Sequence, residues 1–142
     1  MQRKIVRMLI FFLCISIHCI AGAAPITSPF GWRIHPISGE WAFHTGVDIG
    51  YEYGTDIVAL HAGRVVYVAP YGGYGNCVII EDSAQDHQLY AHCSELLCSY
   101  GETVAKGQVI ARVGSTGNST GPHLHVEYWK NGNYVDPLEL WN

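Results

Sequence analysis

Apolar and polar side chains alternate with a period of two along several short runs of the chain, and a helical period is almost absent. DIVAL (56–60), GRVVYVAP (63–70), NCVIIED (76–82), HQLYAHC (87–93), ETVAKGQVIARVG (102–114) and HLHVEYW (123–129) are rich in β-branched and aromatic residues. Residues i and i+2 of such a run face the same side of a sheet, so each run predicts a strand. Glycine turns separate the runs. PYGGYGN reads as a turn-rich loop, EDSAQDHQ as a hairpin tip, and NGNYVDPLEL as a turn with one helical turn before Trp141. Short strands at this spacing indicate an all-β sandwich or barrel. GRVVYV and GQVIARV each open on glycine and predict two similar strand units around one core.

The N-terminus departs from this pattern. MQRKIVR is basic, MLIFFLCISIHCIAG is apolar, and AGAAP supplies small residues. That order is the pattern of a secretory signal, with cleavage expected after Ala23. The apolar run is short for a spanning helix. Neither Cys14 nor Cys19 follows the small residues that a lipid-attachment site requires. The expected organisation is a signal peptide over 1–23 and a single domain over 24–142, exported to the periplasm or cell-wall space. No stable membrane span remains after cleavage.

Removal of the signal changes the charge. Arg3, Lys4 and Arg7 leave with it, so five basic residues face 12 acidic ones, and 5 − 12 gives −7 against −4 for the whole chain. A chain of this balance without clustered Lys and Arg is not a nucleic-acid binder. A single domain of about 119 residues is expected to act as a monomer. Cys77, Cys93 and Cys98 remain, and in an oxidising compartment they predict one disulfide and one free thiol. Cys77 and Cys93 fall on neighbouring strands, Cys93 and Cys98 close in sequence, and both pairings stay open.

The histidines sort by position. His18 lies in the signal segment, while His35, His61 and His87 fall in turns or at a hairpin tip and read as solvated. His123 and His125 alternate on one strand, so both rings lie on one side, about 6.5 Å apart along the chain. His44 and Asp48, in HTGVDIG, also face one way but stand about 13 Å apart if extended. They can share an ion only if Gly46 lets the chain bend or each side chain leans inward. Two histidines and a carboxylate suit a catalytic zinc whose fourth position is left to water. His44, Asp48 and one of His123 or His125 would complete that set. His92, between the core-directed Ala91 and Cys93, points away from the core and joins them as a candidate.

Taken together, HTGVDIG, LYAHCSEL and GSTGNSTGPHLHVE resemble the lysostaphin/LytM-like zinc endopeptidases that cut peptidoglycan, peptidase family M23. SPFGWRIHPISG, KGQVIARVG and VDPLELW are similar too, so the resemblance runs from about Ser28 to Trp141. It implies an antiparallel β-sandwich of the duplicated hybrid motif type with a metal site in a surface groove. It implies one Zn2+ per chain on His44, Asp48 and His125, with His92 and His123 as the catalytic pair. The implied substrate is a peptide crosslink of the bacterial wall; a D-alanyl–diaminopimelyl bond and a glycine bridge both stay open, the former favoured because nothing in the chain suggests a dedicated glycine-bridge binder. Cys93 and Cys98 stand where the family more often has apolar residues, which suggests a buried thiol or a disulfide. A non-catalytic M23-like regulator of wall hydrolases is the alternative, and the five retained motif residues weigh against it. A carrier domain is the other rival, opposed by the signal segment and by the lack of a lysine at a hairpin tip.

Overall fold

The structure, a computed structural model, describes residues 24–142; the predicted signal segment and its cleavage point lie outside the described residues. The strands are β1 (Ile26–Ser28), β2 (Gly31–Ile34), β3 (Trp41–His44), β4 (Val47–Ile49), β5 (Asp56–Val58), β6 (Gly63–Pro70) and β7 (Asn76–Glu81). They continue as β8 (His87–Cys93), β9 (Glu95–Leu96), β10 (Thr103–Val104), β11 (Val109–Arg112), β12 (Leu124–Lys130) and β13 (Asn133–Val135). A 3-10 turn over Pro137–Trp141 closes the chain, with the Asp136 carboxylate accepting from the Leu138 amide. The all-β architecture expected from the alternation is present, with the antiparallel pairing that the resemblance implies.

Eight strands form the main sheet, in the order β1-β4-β12-β8-β7-β6-β10 with β13 added beside β12. A second sheet has the order β5-β11-β9, and β2 and β3 form a separate two-stranded ribbon. Alternation decides which face each side chain takes. Val47, Val78, Ile80, Tyr90, Val126 and Tyr128 leave one face of the main sheet and meet Ile57, Ile110 and Ala111 from the second sheet. The two glycine-led units therefore do share one core, since Val65 of β6 and Ile110 of β11 both lie in it. On the opposite face Cys77, Ile79, Leu89 and Ala91 pack in a smaller cluster with Tyr74 and Trp129. His125 pairs with Ala91 of β8 and Asp48 of β4, which places it on that second face at the centre of the main sheet.

Two expectations need correction. Among the described residues Cys77, Cys93 and Cys98 are all free, so the predicted disulfide is absent. The reason is directional: Cys77 belongs to the smaller cluster and Cys93 to the main core, on opposite faces of the sheet. The second concerns Ala91 and Cys93, read as sharing one core. His92 between them has φ +58, a left-handed conformation uncommon for a residue with a Cβ, and it breaks the alternation. No helix among the described residues is long and apolar enough to cross a membrane.

Candidate metal centre

His44 is the last residue of β3, and only Thr45 and Gly46 separate it from β4. The chain leaves the ribbon and enters the main sheet there, which brings His44 Nε2 to 3.3 Å from Asp48 Oδ1 instead of the extended separation. Gly46 permits this, because a Cβ there would sit 2.4 Å from the Val126 carbonyl oxygen and 2.6 Å from His125 Cε1. On the facing strand His125 lies opposite Asp48 in the β12–β4 register. Its Nδ1 is 2.7 Å from Asp48 Oδ1 and 3.2 Å from His44 Nε2. Those three donors form the metal-competent group among the described residues.

Each imidazole is oriented by an acceptor behind it. His44 Nδ1 donates to the Pro29 carbonyl at 2.8 Å, and His92 Nδ1 donates to the Thr116 carbonyl at 2.8 Å. His123 Nδ1 donates to the Gly121 carbonyl at 2.9 Å. A carbonyl only accepts, so in all three rings the proton sits on Nδ1 and Nε2 offers its lone pair to the groove. His125 is held the other way round, with Nε2 at 3.1 Å from Glu127 Oε1 and Nδ1 turned to Asp48 and His44. His123 Nε2 reaches to 3.7 Å from Asp48 Oδ1, and the His92 and His123 rings lie 4.8 Å apart between centroids. All five expected residues therefore line one groove of about 710 Å³.

Glu127 is the residue that sequence reasoning missed. It is fully buried, 0% exposed, yet its carboxylate has four donors around it. Thr45 Oγ1 donates at 2.5 Å and Tyr74 OH at 2.9 Å, both to the oxygen that faces His125, while Trp129 Nε1 donates at 3.0 Å to the other. The signal was available in HLHVE, where Glu127 stands two residues beyond His125 and so on the same face. The small-residue loop before β12 is also part of the site. Thr116 Oγ1 donates to the Cys93 carbonyl at 2.9 Å, and the Asn118 amide to the Gly73 carbonyl at 2.8 Å. Those bonds hold the loop as one wall of the groove.

Electrostatics follows from two carboxylates beside imidazoles packed at a tilt to one another. Burial alone would raise the Asp48 carboxyl, but hydrogen bonds and charge from His125 and His44 outweigh it and hold the group well below the usual range. Burial would lower the His125 imidazole; Asp48 and Glu127 reverse that and push it up to about 9. Glu127 is held below its ordinary value, burial again being overcome by His125, Thr45 and Tyr74. His92 goes down to about 4, chiefly through burial. A buried imidazolium between two carboxylates marks a place suited to a dication.

The donor set fits zinc. Tetrahedral ligands at about 2.0–2.1 Å from an ion stand about 3.3 Å from one another. His44 Nε2 is 3.2 Å from His125 Nδ1 and 3.3 Å from Asp48 Oδ1. The rear N–H of each imidazole already has an acceptor, as metal-ligating histidines require. His87 sits 3.2 Å from Glu81, away from the groove as expected. His35, read as solvated, instead lines the groove, but its Nδ1 is occupied by the Ile37 and Ser38 amides and it is not among the three metal-competent residues.

The family model of peptidase family M23 matches residues 42–137. The chain belongs to peptidase family M23. This M23 domain is 45% identical over 115 residues to the DD-carboxypeptidase/endopeptidase Mpg of Neisseria meningitidis, covering 81% of the chain and 26% of that relative. It is 34% identical over 115 residues to lysostaphin of Staphylococcus staphylolyticus, covering 77% of the chain and 24% of that protein. The chain thus spans about a quarter of the length of the curated relatives it matches. Among solved structures, the catalytic domain of lysostaphin from Staphylococcus simulans matches with a TM-score of 0.75 at 30% identity, over 83% of this chain and 92% of that one. A zinc-containing peptidase from Vibrio cholerae matches with a TM-score of 0.74 at 33% identity, over 84% of this chain and 36% of that one.

Proposed function

We propose that this M23 domain is a zinc-dependent DD-endopeptidase of bacterial peptidoglycan, acting outside the cytoplasm. The observation that carries the reading is the convergence of two imidazoles and one carboxylate beside two further imidazoles, in one open groove. His44, Asp48 and His125 would hold the ion. Bound there, zinc lowers the pKa of a water in its open position toward about 7 and polarises the peptide carbonyl.

The other residues follow from their geometry. His92 and His123 turn free Nε2 atoms into the groove and serve as the groups that take a proton from the attacking water and return one to the leaving amine. Protonated, either imidazole also stabilises the oxyanion that develops at the carbonyl. The Thr116 and Gly121 carbonyls fix both rings, so little reorganisation accompanies these transfers. Glu127 keeps His125 turned so that Nδ1 faces Asp48 and His44, with which it would hold the ion.

The substrate class rests on likeness to Mpg, named as a DD-carboxypeptidase/endopeptidase, and to ShyB of Vibrio cholerae, named as a peptidoglycan DD-endopeptidase and 35% identical over 115 residues. The test is mass spectrometry of purified peptidoglycan digested with the protein, with and without a chelator. The expected result is chelator-sensitive release of uncrosslinked muropeptides, whose masses name the bond. A non-catalytic regulator would release none.

A further inference from the structure

The ribbon of β2 and β3 alternates sharply. Trp32 and Ile34 on β2 and Trp41 and Phe43 on β3 are exposed, and of these Ile34 and Phe43 also line the groove. Arg33 is turned the other way, opposite Ala42 in the register, and lines the groove beside His44 and Asp48. No other lysine or arginine lines that groove among the described residues. Its guanidinium is incompletely used. Nε is buried without a hydrogen-bond partner, and Nη2 lies 4.0 Å from Asp48 Oδ2, at the outer limit of an ion pair. The other Asp48 oxygen faces the imidazoles.

A partly exposed guanidinium whose Nε is buried without a partner has a hydrogen bond to gain when an acceptor arrives. Its planar fork matches a carboxylate better than any other common group. Carboxypeptidase and DD-endopeptidase substrates share such a group. In both, the residue on the amine side of the scissile bond keeps a free carboxylate on the carbon that bears the reacting nitrogen. A glycine bridge has a neutral amide there. We infer that Arg33 is a specificity residue that binds this free carboxylate, so that the site selects bonds next to a carboxylate over bonds inside a neutral peptide. This rests on the peptidase reading above and names the group its substrate must carry.

The experiment compares kcat/KM on two synthetic crosslinked peptides that differ only there, one a carboxylate and the other a carboxamide. The wild-type chain should prefer the carboxylate by about 10- to 100-fold, the range for a charge-assisted pair. In Arg33→Gln the ratio should fall toward one, with Arg33→Lys between, and zinc content should be unchanged in both. A wild-type ratio near one overturns the inference and leaves the peptidase reading standing. So does an Arg33→Gln protein that loses zinc and slows on both peptides alike, since Arg33 would then only position Asp48. Cleavage of neither peptide by the zinc-loaded wild type defeats the peptidase reading, and this inference with it.

Discussion

Glu127 Oε1 stands 3.1 Å from His125 Nε2, on the side of the ring away from Asp48. The ring is thus clamped between two carboxylates, one facing the groove and one wholly buried. Removing the buried one should loosen the ion without unfolding the domain. Glu127→Gln keeps the shape but places an amide before donors that now point at a carboxylate. Zinc affinity is expected to fall about 10- to 100-fold, read by competition with a chromophoric chelator. An unchanged affinity would show that the clamp plays no part in holding metal.

Division of labour among the histidines gives a second prediction. His125→Ala should lose both bound zinc and activity. His92→Ala and His123→Ala should keep the metal and lose about 10²- to 10⁴-fold in turnover. Metal analysis beside a muropeptide assay separates the two outcomes. Zinc lost from His123→Ala but retained in His125→Ala would reverse the assignment.

The raised imidazole of His125 makes metal binding compete with a proton. With its value at about 9, apparent zinc affinity should fall about tenfold per pH unit from about 9 down to about 7. The metal-free protein should show the same group in its stability. A pKa raised above 6.5 by folding contributes stability that is full below 6.5 and is lost as pH rises toward about 9. Melting temperature of the chelated protein should therefore decline across that window. Asp48 and Glu127, both lowered, act oppositely, and their contribution disappears on acidification below the ordinary carboxylate range.

Gly46→Ala tests the crossing of the chain beneath His125. Its new Cβ would meet backbone at 2.4 Å, a contact that requires the strand to move. A loss of about 1–3 kcal/mol in denaturant unfolding is expected, with reduced zinc content because the displaced ring is a ligand.

Strand alternation makes much of this legible in the sequence. It predicted an all-β chain, one core for the two glycine-led units, and a shared side for His123 and His125. It also left two ways for His44 and Asp48 to meet, a bend at Gly46 or side chains leaning inward, and the short passage from β3 to β4 supplies the bend. Legibility failed where a side chain's surroundings come from distant strands. Glu127 looks solvated in a list of strand residues, and only Thr45, Tyr74 and Trp129, from elsewhere in the chain or along the strand, reveal a buried acceptor. Arg33 is hidden for the same reason. His92 is a candidate in the sequence, but on an alternation that its left-handed backbone breaks, and the cysteine pairing failed because a register offset sends Cys77 and Cys93 to opposite faces.

The ribbon of β2 and β3 is hydrogen-bonded to neither larger sheet through its strands. Yet it supplies one wall of the groove and, in its last residue, His44. An ion shared by His44, Asp48 and His125 would consequently rivet ribbon to sheet. Groove width and metal occupancy would then be one variable, and stripping the ion would slacken the wall that carries Arg33 as well as removing the Lewis acid.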